Sequence, residues 1–284
     1  MTTEVLRNMI YGRRRSLDDL EVVVLDEVHF LQDAYRGPVW EEVIVHLPRH
    51  VRLVCLSATV SNARELADWI TTVRGPTEAV LEERRPVELE TQYLIADRTE
   101  DRLVMLPVFH EGRPNRAAAR LDASGVRGPQ RRRRHDERSG EGSSRRRLAP
   151  PGRIETVRLL DRRRMLPAIV FIFSRNQCDE AARACVDAGL RLTTAEQRTR
   201  IRQIVNERLE GFHVDDLAVL GHQRFVRQLE AGVAAHHAGM VPAFKEIVER
   251  CFVENLLQVV FATETLAVGI NMPSRTVVIE KLTK

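Results

Sequence analysis

Short apolar runs, each closed by polar or acidic residues, alternate in this chain with stretches whose apolar residues recur every three or four positions. Residues 22–30 read VVVLDEVHF, where four apolar residues, three of them β-branched, run straight into Asp26, Glu27, Val28 and His29. Such a run predicts a strand buried on both faces of a parallel sheet. Residues 51–56 (VRLVCL) repeat the pattern and lead at once into Ser57, Ala58 and Thr59. In the second half, residues 166–174 (LPAIVFIFS), 233–239 (VAAHHAG), 257–262 (LQVVFA) and 276–279 (TVVI) are strands of the same short type.

Helical spacing fills the gaps. Residues 1–11 place Val5, Leu6, Met9 and Ile10 at helical intervals, with Thr3 as the expected N-cap. Residues 40–47 and 62–73 are amphipathic; in the second, Leu66, Trp69, Ile70 and Val73 share a face. Residues 175–188, 194–209, 215–229 and 242–253 are further helices, the last with proline in its first turn. Residues 87–95 alternate and read as a strand leaving the first lobe; 97–109 reads as a helix. Strand, helix, strand in both halves predicts an α/β fold of two parallel-sheet lobes. The expected domains are residues 1–95, a connection at 96–153, and residues 154–284.

Composition changes abruptly inside that connection. Residues 111–152 are rich in Arg, Gly, Ser and Pro with hardly a large apolar side chain, which predicts a disordered linker. Residues 110–153 hold 13 Arg against 5 Asp or Glu, a local +8, while the whole chain carries +4. The basicity therefore belongs to one segment, which is either a solvated spacer or a basic arm for nucleic-acid phosphates, with Arg131 to Arg134 at its centre. Lysine is confined to Lys245, Lys281 and Lys284. No G-x-x-x-x-G-K-[ST] phosphate loop exists in these residues. The four cysteines have no metal-ligand spacing, and Cys178 and Cys185 read as small core residues. No run approaches the ~18 apolar residues of a membrane span, and no signal-peptide pattern opens the chain, so a cytoplasmic protein is expected.

The chemistry is expected at the carboxyl ends of the strands, where ligands of parallel sheets gather. Asp26 and Glu27 emerge there. Adjacent carboxylates suit nucleoside triphosphate hydrolysis, one holding Mg²⁺ through water and the other polarising the attacking water. Alone, D-E-x-H equally fits a strand that ends in an acidic loop. The adjacent His236 and His237 suggest a metal, but neighbours on a strand point to opposite faces, so the pair chelates poorly.

Seven stretches in order resemble one family. MTTEVLRNM, LDEVHFLQD, RGPVWEE, LSATVSNARELADWI, VFIFSRNQCDEA, GVAAHHAGMVP and VFATETLAVGINMPSRTVV are similar to the motifs of superfamily-two DExH-box helicases. The HHAGM and RGPVWEE stretches look most like the superkiller branch, and the arginine-heavy usage resembles its actinobacterial members. The resemblance implies two RecA-like lobes, ATP and Mg²⁺ as cofactors, and 3′ to 5′ movement on single-stranded or 3′-tailed nucleic acid, RNA favoured over DNA. It implies a monomer, with RNA-degradation machinery as a partner. Asp26 would hold Mg²⁺ through water, Glu27 would orient the attacking water, and His29 would couple the phosphate site to the other lobe. Ser57 and Thr59 look like the coupling motif, although small polar residues also cap helices. Thr3, Glu4 and Arg7 fall in a segment that contacts nucleic acid in such helicases. Ser174 and Arg175, with Thr263, Glu264 and Thr265, look like their counterparts on the second lobe. Gly269 and Asn271 resemble residues that face the nucleotide.

The resemblance is incomplete. The phosphate loop and the Q-x-x-G-R-x-G-R motif are both missing from the 284 residues, so both lobes are expected to be incomplete, the first with an exposed sheet edge. The alternatives are an RNA-binding module that does not hydrolyse ATP and a decayed helicase remnant. Expressed alone, the 284-residue chain is expected neither to hydrolyse ATP at a helicase rate nor to unwind duplexes, because arginine-type charge stabilisation contributes ~10³-fold or more. Steady RNA-stimulated turnover, abolished by Glu27→Gln, would overturn that expectation.

Overall fold

The computed structural model describes residues 1–12, 15–58, 62–82, 84, 87–117, 148–267 and 272–281. Two compact units divide the chain, Met1–Leu89 and Glu90–Lys284.

The first unit opens with α1 (Thr3–Tyr11). Its N-cap is Thr2, not the expected Thr3: the Thr2 hydroxyl accepts the Val5 N–H at 3.4 Å, and Thr3 already has helical geometry. Strand β1 (Val22–Leu25) pairs in parallel with β2 (Arg52–Cys55), Val22 opposite Arg52 and Leu25 opposite Cys55. Between them lies α2 (Gly37–His46), which begins three residues earlier than the apolar pattern indicates, with proline in its first turn. Helix α3 (Ala63–Arg74) follows. Leu6, Val23, Leu25, Trp40, Val43, Ile44 and Ile70 form the core.

The expected double-sided burial of β1 is not observed. Val23 and Leu25 are buried, whereas Val22 and Val24 are exposed, Val24 by 56%. Helices cover one face of the two-stranded sheet and leave the other open, so an apolar run that looks double-sided alternates in burial. The first sheet has only two strands among the described residues.

Arg74 closes this unit. At the last residue of α3, its Nη1 donates to Ile44 O (3.2 Å) and Leu47 O (2.7 Å), and its Nη2 to Pro48 O (3.1 Å) and Val51 O (2.8 Å). One guanidinium thus satisfies carbonyls left over at the end of α2 and along the turn into β2. Burial, and then the nearby Arg49 charge, push its pKa down.

In the second unit, residues 97–109 are not a helix. β3 (Gln92–Asp97) and β4 (Arg102–Pro107) form an antiparallel hairpin, and β7 (Leu148–Ala149) joins the other edge of β3. Asp97 Oδ1 accepts the N–H groups of Thr99 (3.0 Å) and Glu100 (3.4 Å), so the acidic stretch is a turn. A smaller hairpin pairs β5 (Phe109–His110) with β6 (Arg113–Pro114). Both ends of the arginine-rich stretch are therefore in strands, and Arg131 to Arg134 lie outside the described residues.

After α4 (Arg153–Arg162) comes a four-stranded parallel sheet in the order β11 (Thr276–Ile279), β8 (Ala168–Phe171), β10 (Val259–Ala262), β9 (Val233–His236). Helix α5 (Arg175–Asp187) covers one face, where Val170, Val259 and Phe261 meet Cys178, Ala181 and Cys185. Helices α6 (Ala195–Leu209), α8 (His222–Glu230) and α9 (Pro242–Val253) cover the other, against Ile169, Val260 and Ala262. β10 is buried along its whole length because both faces are occupied. Residues 215–229 form not one helix but two, α7 (Val214–Val219) and α8, broken at Gly221 with φ +71°. Guanidinium–carboxylate pairs join α6 to α9 along its length: Arg200 with Glu254 at 2.8 Å, Arg250 with Glu207 at 2.9 Å, and Arg208 with Glu246.

Arg74→Met is expected to lower the stability of the first unit by about 2–4 kcal/mol, since it strands several carbonyls at once. Both tryptophans, Trp40 and Trp69, lie in that unit. Their fluorescence during urea unfolding therefore reads it alone, and an unchanged midpoint would refute the clamp.

Candidate nucleotide and nucleic-acid site

The acidic pair stands where β1 ends. Two backbone bonds carry the pairing past the strands: Leu56 N–H donates to Leu25 O, and Val28 N–H to Leu56 O, both at 2.9 Å. Between these bonds the chain turns sharply, with Glu27 at φ 58°, ψ 44° in the left-handed region. That conformation is uncommon for a residue with a side chain and is retained where surrounding bonds over-determine it. Here Asp26 Oδ1 accepts the Glu27 N–H at 2.9 Å. Both carboxylates are exposed.

A 3₁₀ turn over Val28–Gln32 then buries Val28 and swings His29 back. His29 Nδ1 lies 3.1 Å from Glu27 Oε2 and 3.4 Å from Ser57 Oγ. Nδ1 thus shares a hydrogen bond with Ser57 Oγ and lies within ion-pair range of the Glu27 carboxylate. The His29 ring stacks on Phe30, centroids 4.6 Å apart, which fixes its plane. Glu27, His29 and Ser57 are thus brought together, with Asp26 beside them. Exposed carboxylates are hard oxygen donors of the type that holds Mg²⁺, which keeps several waters and takes one or two carboxylates plus phosphates rather than an all-protein cage. No group of three or more acidic, His or Cys side chains among the described residues forms such a cage. The donors present therefore fit Mg²⁺ shared with a nucleotide. In the same unit Thr3 is half-buried in the first turn of α1 and Glu4 exposed. Its own backbone N–H, then the Thr2 hydroxyl, hold the Glu4 carboxyl below its usual range. Arg7 reaches Glu42 on α2 at 3.7 Å.

The second unit gathers its candidates at the carboxyl ends of β8, β9 and β10. Ser174 caps α5, its Oγ accepting the Gln177 N–H at 3.4 Å, and Arg175 projects from the first turn. A Cβ built at Gly239 would stand 3.5 Å from Arg175 Cδ, so Arg175 lies along the turn after β9. Thr263 follows β10 and donates its N–H to His236 O at 3.2 Å; Glu264 starts a 3₁₀ turn. Thr59, Gly269, Asn271 and the side chain of Thr265 lie outside the described residues.

The two histidines face opposite sides of the sheet. His236 Nε2 donates to Glu249 Oε1 on α9 at 2.8 Å, and His237 Nε2 to Asp179 Oδ2 on α5 at 3.1 Å. Gly239 N–H donates to His237 Nδ1 at 3.2 Å, which fixes that tautomer. Asp179 and Glu249 escaped the sequence reading because each is an ordinary acidic helix position until the fold sets it opposite a ring. So did Arg153, whose guanidinium bonds Glu280 after β11 (2.5 and 2.9 Å) and Gln177 in α5 (2.8 Å).

An acidic pair at a strand end, a histidine bridging it to the next strand, and a second parallel sheet define the RecA-like helicase class. The family model for DEAD/DEAH box helicases matches residues 1–66. Over its whole length the chain is 50% identical to the probable helicase HelY of Mycobacterium tuberculosis strain H37Rv, of which it covers 32%. It is 38% identical to the chloroplastic DExH-box ATP-dependent RNA helicase DExH15 of Arabidopsis thaliana, covering 26%, and 36% identical to human superkiller complex protein 2, covering 23%. The chain belongs to the DExH-box helicases of the superkiller-like branch and resembles actinobacterial members of it. It spans about a third or less of the length of these curated relatives.

His236 gives this unit a pH dependence. Burial, the largest influence, pushes its pKa below the ordinary 6.5 against the opposing hydrogen bond to Glu249; Lys245 and His237 add to the depression. Its Nδ1 finds no partner among the described residues, so a second ring proton would be buried without an acceptor. Between the depressed folded value and 6.5 the unfolded chain binds the extra proton. Stability is therefore full above pH 6.5 and falls below it, by up to about 1.4 kcal/mol per pH unit. His236→Gln is expected to flatten this slope in denaturant titrations followed by circular dichroism. An identical slope in the variant would assign the acid lability to other groups.

Proposed function

We propose that this chain carries part of the motor of an ATP-dependent nucleic-acid helicase that acts on RNA in preference to DNA and moves 3′ to 5′. The observation that carries this reading is the Glu27–His29–Ser57 arrangement. The side chain suited to orienting water is in direct contact with the imidazole that also reaches the segment after β2. A change in charge at Glu27 is thereby felt by the imidazole that bonds Ser57.

In this reading Asp26 binds the metal through water and Glu27 orients the attacking water. His29 holds Glu27 in place, and Ser57 with Thr59 passes the change onward. Mg²⁺ bound with ATP supplies neutralisation of the phosphate charge. Gly269 and Asn271 face the nucleotide. Thr3, Glu4, Arg7, Ser174, Arg175, Thr263, Glu264 and Thr265 hold one strand through its backbone, a mode of binding largely independent of base sequence. RNA is favoured because two of the relatives above carry the names of an RNA helicase and a superkiller complex protein. A cytoplasmic monomer that works beside RNA-degradation machinery completes the proposal. No helix among the described residues is long and apolar enough to cross a membrane.

Glu27→Gln in the native protein is expected to lower RNA-stimulated ATP hydrolysis by about 10²–10⁴-fold while ATP and RNA binding persist. Hydrolysis within a factor of two of wild type would reject Glu27 as the water-orienting group.

A further inference from the structure

The turn between the 3₁₀ segment and α2 has no task in the function proposed above. Asp33 Oδ1 accepts the N–H groups of Tyr35 and Arg36, each at 2.8 Å, and Asp33 O accepts the Gly37 N–H at 2.8 Å. Backbone on both sides of Tyr35 is thereby fixed. The Arg36 guanidinium sits 5.2 Å above the Phe30 ring. Gly37 is packed so closely that a Cβ there would stand 2.5 Å from Leu31 O. On this rigid mount the Tyr35 ring is 92% exposed, more than any other large hydrophobic side chain among the described residues.

An aromatic carried on fixed backbone has only its own two side-chain torsions to order when something flat stacks on it. Its surroundings indicate what that is. The charges of Arg36 and Arg7 both act on Glu4 in the first turn of α1. Arg7 reaches Glu42, and the Tyr11 ring lies 5.6 Å from that of His46. These successive partners show that α1 and α2 run side by side in the same direction, so the Tyr35 turn stands beside the first turn of α1. Tyr35 is also the one exposed large hydrophobic between Val24 and Val45 among the described residues. A lone planar ring next in sequence to Arg36, with Arg7 on the neighbouring helix, fits a base on a phosphate chain rather than an apolar protein surface.

We propose that Tyr35 is a base-stacking contact for single-stranded nucleic acid, its ring covering one unpaired base while Arg7 and Arg36 stand near the adjoining phosphates. The contact rests on the helicase reading and adds to it a site that recognises bases as flat surfaces. Every base has such a face, so it selects unpaired strand over duplex without reading sequence. Asp33 is a positioning residue that holds the ring in the strand's path.

The test is a fluorescence-anisotropy titration of the 284-residue chain, at one fixed salt concentration, with a labelled oligouridylate and with an abasic strand of equal length. Tyr35→Ala is expected to weaken binding of the oligouridylate about 5- to 150-fold, the loss of one stacked base, and to leave abasic-strand binding within a factor of two. Tyr35→Phe is expected to retain wild-type binding, and Asp33→Ala to fall between. Equal oligouridylate affinity for wild type and Tyr35→Ala, or an equal loss on both strands, would overturn the stacking contact and leave the helicase reading standing. A wild-type chain that binds neither strand would overturn both. Tryptophan fluorescence, which reports Trp40 five residues on and Trp69 in the same unit, verifies that each variant is folded.

Discussion

The arrangement of the first unit depends on Leu56. Its N–H extends the ladder to Leu25 and its carbonyl receives Val28, so this one peptide locks the end of β2 to the chain just beyond β1. Parallel strands have no direct link at their carboxyl ends, and the segments leaving them would otherwise diverge. With Leu56 in place, Glu27 has to turn within one residue, which accounts for its left-handed backbone. The carboxylate, the imidazole and the serine then meet because the main chain leaves them little choice. Arg74 serves the other end of the same layer, where α2 ends and β2 begins.

The second unit reaches similar order by different means. Its strands β8, β9 and β10 are buried on both faces and read from sequence as continuous apolar runs. Their alternate side chains feed two separate cores, while β11 at the edge leaves Val277 and Ile279 exposed. The paired histidines follow the same alternation and bond to helices on opposite sides, His236 to α9 and His237 to α5. The polar groups that close a strand here also tie it to both of its covering layers.

The legible part of the sequence was the part governed by local pattern. Apolar runs located β1, β2, β8, β10 and β11, and helical spacing located α3, α5, α6 and α9, most of them to within a few residues. Residues 26–29 and 57–59 stood out only through the ordered set of seven motifs, since alone each also fits an acidic loop or a helix cap. What failed was whatever depends on a distant partner or on turn chemistry. Residues 97–109 look helical until the Asp97 side chain is seen bonding Thr99 and Glu100, which reverses the chain into a hairpin. The burial of β1 was misjudged because an apolar run does not state how many of its faces find a cover. Arg74 and Arg153 look like any of the chain's many arginines, and only the carbonyls and carboxylates brought to them by folding separate them from the rest.

The seams between α6 and α9 have one more consequence. Arg200, Arg208 and Arg250 pair there with Glu254, Glu246 and Glu207, and the chain as a whole contains only three lysines. Guanidinium does not lose its charge in the accessible pH range and does not undergo the acylation that neutralises an amine. Acetylating enzymes and amine-reactive labels therefore find only Lys245, Lys281 and Lys284 among the side chains of these 284 residues. Its helix seams can be loosened by dissolved ions, but the ordinary chemistry by which cells erase positive charge passes them by.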